Sequence, residues 1–509
     1  MPERPAIETP WRLRDLLDRT GLPIPPNAAA ADTVVTGLFD DSRSVKPGGC
    51  FVAVRGTRSD GHAHLDAAAR NGACVVVVER GATAPDGPVV VEVGDTRVAL
   101  ARLAAVYFGL DGRRSATLPL IGITGTNGKT TVAWLIRSVL RAAGRRPALL
   151  GTIEYDLVRR KAPAPLTTPD PLTLCRCLAE ARDAGAEAAV LEVSSHALDQ
   201  RRCDGLRFAV GVFTNLSGDH LDYHGDMEAY YRAKRRLFDL LDDGGTAIVN
   251  RDDPAGERLV KELAVPVRTY GVASDDAYAS ARIGELSRFA SVVDITLADQ
   301  SFAARIPLLG RHNMYNAVAA ATASQAVGVG AEAIRAGLEC AGPIPGRLER
   351  IDTNDCPFSV VVDYAHTDAA LDSALTALRP ITSGRLICVF GCGGDRDRGK
   401  RPRMGAVVNR LADVAFVTSD NPRTEAPSAI IDDILPGFAV AGGASVRTEP
   451  DRRSAIVSAI ALARSGDTVL IAGKGHENYQ IIGESVFPFD DAVVARDCLT
   501  GAVRRGEVA

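Results

Sequence analysis

Residues 118–131 constrain this chain more than any other stretch. An apolar, β-rich run, Leu118–Thr124, feeds the loop Gly125-Thr126-Asn127-Gly128-Lys129-Thr130-Thr131, and a helical pattern follows at once. There Val132, Leu135, Ile136, Val139 and Leu140 recur at the helical period, and Gly144 suits the C-terminal cap. A strand, a glycine-rich turn ending Gly-Lys-Thr and an amphipathic helix together make a nucleotide-phosphate site. The glycines let backbone N–H groups approach the anion, and the helix N-terminus adds positive potential. Lys129 is expected to reach the terminal phosphates and Thr130 to hold Mg²⁺. Ile123 occupies the position five before Gly128, where the longer phosphate-loop pattern has glycine, so a shortened loop is expected.

A loop of this kind belongs to an α/β domain, and 509 residues exceed what one hydrophobic core can organise. Short apolar runs alternate with helical patterns almost throughout, which predicts three α/β domains with largely parallel sheets. Residues 1–115 read as a small α/β domain with strands at Val34–Leu38, Cys50–Val54, Cys74–Val78 and Val89–Val93, ending in the polar break Asp111–Ser115. Residues 116–345 read as a central ATPase domain of the phosphate-loop type, with further strands at Ala188–Val193, Ala209–Thr214 and Thr246–Asn250. Residues 346–509 read as a Rossmann-like domain with strands at Phe358–Val362, Leu386–Phe390, Val414–Thr418 and Thr468–Ala472. Each of the last set runs into a polar or glycine-bearing turn, where open α/β sheets bind ligands.

Composition narrows the function classes. A net charge of -4 gives no reason to expect nucleic acid or an acidic membrane as partner. The N-terminal residues lack the apolar core of a signal peptide, and no apolar stretch reaches the roughly 18 to 20 residues of a membrane helix. Ten scattered cysteines without a CxxC pair read as reduced thiols, which fits the cytoplasm. No obligatory protein partner is evident.

Taken singly, other polar residues say little. Glu192 ends the strand after Leu191, where a carboxylate either terminates the strand or serves Mg²⁺. His220, in Asn215–His224, reads as a turn histidine, and Lys234 on spacing alone reads as a solvated helix lysine. Arg202 beside Arg201 reads as a surface basic pair.

Five segments in order change this picture: Gly125–Thr131, Glu192–Leu198, Asn215–His224, Gly391–Asp397 and Gly473–Glu477. Together they resemble the Mur ligase family, the ATP-dependent amide-bond-forming enzymes of peptidoglycan precursor synthesis, over about Asp41 to Asp490. The resemblance implies that Thr130 and Glu192 bind one Mg²⁺ and His220 a second. It also implies that Lys234 is carbamylated, an anionic group supplying the hard oxygen ligands Mg²⁺ prefers. His312, Asn313 and Asn316 resemble the family's adenine-contact segment, and Arg347 and Asp363 the positions contacting phosphate and ribose. Asp368 departs from the pattern, since relatives commonly have proline there. For a nucleotide-sugar substrate the resemblance points to Ser42, Arg43, Thr57, Arg58, Ser59, Thr167, Thr168, Ser194, Gln200 and Arg202.

Asp420-Asn421-Pro422-Arg423 resembles the motif of family members that add diaminopimelate, whereas lysine-adding relatives lack the arginine. A planar guanidinium suits the second carboxylate of meso-diaminopimelate, which L-lysine lacks. Arg396, Gly473 and Glu477 match further amino-acid positions. The implied function is ATP-dependent, ADP-forming ligation of meso-2,6-diaminopimelate to UDP-N-acetylmuramoyl-L-alanyl-D-glutamate, with Lys129, Lys234 and His220 as catalytic residues. Rival readings are the same ligation with L-lysine or another diamine, a folylpolyglutamate-type synthetase, and a phosphate-loop ATPase that makes no bond.

Overall fold

The computed structural model describes residues 10–56, 59–111, 118–274, 276–286, 290–298, 300–352, 356–439 and 443–505. Most of the expected boundary at Asp111–Ser115, together with Thr57 and Arg58, lies outside these residues.

Three principal sheets organise the chain. In the first, Gly37–Phe39, Gly49–Val52, Ala73–Glu79 and Val89–Val93 run parallel in sequential order. The expected strand Val34–Leu38 is broken at Thr36: Val34–Val35 pairs instead with Trp11–Arg12. Helix Thr96–Tyr107, capped by the Asp95 side chain, covers this sheet, and its buried residues join one continuous apolar cluster with the central sheet. Gly205 lies against the Ala101 backbone, where a Cβ would collide. Arg182 reaches across to the carbonyls of Phe108 and Gly109 at 3.0 and 2.8 Å.

The central sheet has eleven strands among the described residues, and Leu120–Thr124 lies between Ala188–Glu192 and Phe208–Phe213, all parallel. The phosphate loop therefore leaves the middle of the sheet at its carboxyl edge, where the strands on both sides also deliver their loops. Helix Lys129–Ala142 buries the expected apolar face, and Gly144, at φ +73°, receives the chain just past its end. The N–H of Arg145 reaches the Leu140 carbonyl at 2.9 Å, closing the left-handed helix terminus. Both edges of the sheet are antiparallel: Glu154–Asp156 with Lys161–Pro163, and the meander Ala279–Leu286, Ser291–Leu297, Gln300–Ile306.

In the third sheet, Ser359–Asp363, Thr468–Ala472, Leu386–Phe390, Val414–Val417 and Ser445–Thr448 are parallel, and Glu349–Ile351 adds an antiparallel edge. Asp368 opens helix Asp368–Leu378 behind Thr367, whose side chain accepts from the Ala370 N–H at 3.2 Å. Proline and aspartate both suit that first helical position, one by its fixed φ and the other by its charge. The departure at Asp368 thus leaves the turn intact. Among the described residues no helix is long and apolar enough to cross a membrane.

Candidate active site

Gly125 and Gly128 sit at φ +143° and +88°, conformations that only glycine adopts freely. A side chain at Gly125 would meet Thr214, and one at Gly128 would meet Asn316. Lys129 folds back over the loop, its Nζ donating to the carbonyls of Gly125 and Thr126 at 2.8 Å each. Burial lowers its pKa, against the pull of Glu192 and Asp219.

Glu192 is buried and gathers the loops around it. It accepts from the Thr130 hydroxyl at 2.8 Å, and from the Thr152 N–H and hydroxyl at 2.8 Å each. Arg347 donates to the Thr130 hydroxyl at 3.2 Å, while its Nε is buried without a hydrogen-bond partner. A cavity of about 200 Å³ opens here, lined by the loop, Thr167, Glu192, Ser194, Asp219, His220, Tyr230, Lys234 and Arg347.

Lys234 corrects the reading from spacing: it is 1% exposed, not solvated. Its Nζ lies 4.3 Å from the centre of the Tyr230 ring, and no carboxylate among the described residues pairs with it. Burial, with the Lys129 charge adding to it, holds its pKa well below the usual lysine range. His220 has φ +55° and begins the short helix Leu221–His224. Its ring lies 4.8 Å from that of His196, and burial lowers its pKa to about 4. Burial would raise Asp219, but His220, His366, Lys129 and Lys400 keep it below its ordinary value.

On the far side of the loop a second cavity, of about 280 Å³, is lined by Asn127, Gly128, His312, Asn313, Asn316, Arg347 and Asp363. Asn316 donates to Asn313 at 2.9 Å, and Asn313 donates to the Leu309 carbonyl at 2.7 Å. Asp363 accepts from the Leu348 and Ala365 N–H groups at 2.6 and 2.8 Å.

The third sheet presents its loops to a cavity of about 740 Å³, lined by Arg396, Asp420, Asn421, Arg423, Gly473 and Glu477 and, opposite them, by Asp219 and His220. Pro422 does not line it; this residue shapes the turn behind. Arg423 has φ +52°, and its guanidinium donates to the Gly394 carbonyl at 2.9 Å. Asn421 donates to Glu477 at 2.9 Å, and burial raises the Glu477 pKa. Two buried arginines brace this wall. Arg452 pairs with Asp491, both 0% exposed, and donates to the carbonyls of Ser419 and Ala472 at 3.2 and 3.0 Å. Arg401 joins Glu425 to the Gly393 carbonyl.

The residues expected to hold a nucleotide sugar divide. Thr167 and Ser194 line the loop cavity. Thr168 lies beneath them, its hydroxyl donating to the Glu192 carbonyl and accepting from the Ser194 N–H. Arg202 is part-buried, not a surface residue, and is held by Gln200 and the Thr168 carbonyl. Ser42, Arg43 and Ser59 line none of these cavities; Arg43, with its side chain 87% exposed, pairs with Asp41.

Sequence reasoning singled out neither Thr152 nor Asp219, Tyr230, His366, Lys400 or Lys474. Asp219 and Lys474 lie inside motifs already noted, and His366 lies between Asp363 and Asp368; Thr152 carries no signal of its own. Among the described residues no group of three or more His, Cys, Asp or Glu side chains gathers as a metal cluster.

Three family models match in order: "Mur ligase family, catalytic domain" at 34–108, "Mur ligase middle domain" at 123–324 and "Mur ligase, glutamate ligase domain" at 346–475. The chain is 46% identical over 483 residues to the UDP-N-acetylmuramoyl-L-alanyl-D-glutamate–2,6-diaminopimelate ligase of Geobacter metallireducens, covering 90% of this chain and 92% of that one. It is 44% identical over 497 residues to the protein of that name from Gloeobacter violaceus, covering 97% and 99%. A solved structure of a ligase of the same name superposes with TM-score 0.71 at 34% identity, covering 97% of this chain and all of that one.

Proposed function

This chain belongs to the Mur ligase family, and from that premise we propose that its site joins an activated carboxylate to an amine of a diamino acid. It is an ATP-dependent, ADP-forming ligase of peptidoglycan precursor synthesis, adding meso-2,6-diaminopimelate to UDP-N-acetylmuramoyl-L-alanyl-D-glutamate. One observation carries the reading. The loop cavity and the large third-sheet cavity share Asp219, His220, Tyr364 and His366 as common lining. A phosphoryl donor on the loop and an amine on the third-sheet wall would meet there.

The adenine and ribose occupy the cavity of His312, Asn313, Asn316 and Asp363. The phosphates lie along Gly125–Thr131, where Lys129 exchanges its two loop carbonyls for phosphate oxygens and Arg347 offers its unpartnered Nε. The γ-carboxylate of the D-glutamyl residue attacks the terminal phosphate, giving an acyl phosphate and ADP. The amine of diaminopimelate then attacks the acyl carbon, and phosphate leaves. Catalysis is chiefly positioning and charge stabilisation, with Lys129 and the loop amides opposing the charge on the transferring group.

The donor chemistry suits Mg²⁺, which takes few protein oxygens and completes its shell with water and phosphate. Thr130 and Glu192 would hold one ion, and His220 with carbamylated Lys234 a second; bound Mg²⁺ would neutralise phosphate charge. The buried Lys234 amine, with a depressed pKa and no carboxylate partner, is suited to add to CO₂ and lose a proton. Ser42, Arg43, Thr57, Arg58 and Ser59 would hold the nucleotide end of the second substrate, with Thr167, Ser194, Gln200 and Arg202 nearer the peptide. We take 1–115, 116–345 and 346–509 as the units that bind the nucleotide sugar, ATP and the amino acid.

Phosphate release should require ATP, the UDP-linked dipeptide and diaminopimelate together. ATP turnover independent of the other two would sink the reading. Mass spectrometry under mild conditions should show the carbamate mass on Lys234, and a fully active Lys234→Ala variant would remove that role.

A further inference from the structure

Lys474 lies behind the wall of the third-sheet cavity, is 0% exposed and takes part in no step above. Its Nζ donates to Asn421 Oδ1 at 2.9 Å, the Tyr479 carbonyl at 2.7 Å and Glu477 Oε2 at 3.4 Å, with Asp420 Oδ1 at 3.8 Å. An ammonium has three protons, and each has an acceptor here. A charge so deeply buried is tolerated only with such partners. Flanking glycines fix it inward: Gly473 and Gly475 have φ +118° and +54°, and side chains there would strike Asp420 and Tyr364.

The partners of Lys474 are the cavity wall itself. Asp420, Asn421, Glu477 and Tyr479 line the cavity together with Arg423. Arg423 is tied in one step further out. Asn421 Oδ1 accepts from the Ile481 N–H at 3.0 Å, and the Ile481 carbonyl accepts from the Arg423 N–H at 3.1 Å. Asp420 and Glu477 bring two carboxylates to one ammonium, at 3.8 and 3.4 Å from the Lys474 Nζ.

We infer that Lys474 is a positioning residue for amine selection: it fixes Glu477 and Asn421 and anchors the strand Tyr479–Ile482, which holds the Arg423 backbone. The inference rests on the proposed amino-acid site. Without Lys474, the Asp420 charge and burial both act to protonate Glu477, and the wall loses its acceptor for an ammonium group. Lys474 itself touches no substrate.

The test uses the full-length enzyme, its Lys474→Met and Glu477→Gln variants and the double variant, with diaminopimelate varied at saturating ATP and UDP-linked dipeptide. Lys474→Met should raise KM for diaminopimelate about tenfold or more, with kcat changed by at most about threefold and KM for ATP by at most about twofold. If Lys474→Met fails to fold, the double variant, which also removes one of the two carboxylates that Lys474 faced, should recover a cooperative melt. The double variant should bind the amino acid no worse than Glu477→Gln alone, because Lys474 acts through Glu477. An unchanged KM for diaminopimelate, a parallel rise in KM for all three substrates, or two single effects that simply multiply would each overturn the inference. Wild-type enzyme that ignores diaminopimelate overturns the proposed function, a result distinct from a responsive wild type beside an indifferent Lys474→Met.

Discussion

The two walls that meet at Asp219 and His220 are built on different principles. The central-sheet wall is mainly backbone: a glycine loop at a helix N-terminus, with Glu192 tying Thr130 to Thr152. The third-sheet wall is a mesh of side chains, in which Arg452, Arg401 and Lys474 are wholly buried and each holds a carboxylate against neighbouring backbone or side chain. Backbone amides serve any polyphosphate, since they recognise charge and shape alone. Side-chain forks discriminate, and so the wall proposed to select among amines needs a braced scaffold behind it.

The largest expected effect breaks that scaffold. Arg452→Met leaves Asp491 buried and unpaired, and should lower unfolding free energy by about 3–5 kcal/mol. Denaturant titration checks this, and a variant of unchanged stability would show that the brace carries no load. Next, Lys129→Ala should cut kcat by about 10²–10³-fold with any amino acid supplied, because the phosphoryl transfer it assists precedes the attack of the amine. Steady-state phosphate release with saturating substrates is the measurement.

Lowering the pH sharpens the contrast further. Burial raises Glu477, so it protonates at a higher pH than an ordinary carboxylate. KM for diaminopimelate should therefore climb as pH falls through that raised value, which initial rates of phosphate release with diaminopimelate varied at each pH check. Smallest of all, Asn316→Ala should weaken ATP by about fivefold, the worth of one ordinary hydrogen bond, and leave KM for diaminopimelate unchanged.

The same contrast decides what was legible in the sequence. Gly125–Thr131 could be read directly, because a strand, a glycine turn and a helix are local and contiguous. The parallel strands near the sheet centres were equally plain as apolar runs. The antiparallel meander Ala279–Ile306 was missed, since its half-exposed strands alternate apolar and polar residues instead of forming apolar blocks. Lys234 was misread on spacing because a lysine's burial depends on what packs against its helix. Thr152 and Glu192, forty residues apart in sequence, meet only through the order of the central strands. Arg452 pairs with Asp491 across thirty-nine residues, and neither sits in a recognisable motif.

The most direct test of this division of labour is phosphate release with meso-diaminopimelate or L-lysine, for wild type and Arg423→Ala. Wild type should prefer diaminopimelate by about tenfold or more in kcat/KM, and the variant should lose most of that preference while keeping its KM for ATP. Equal rates for the two amino acids in wild type, or a preference untouched by the substitution, would contradict the account.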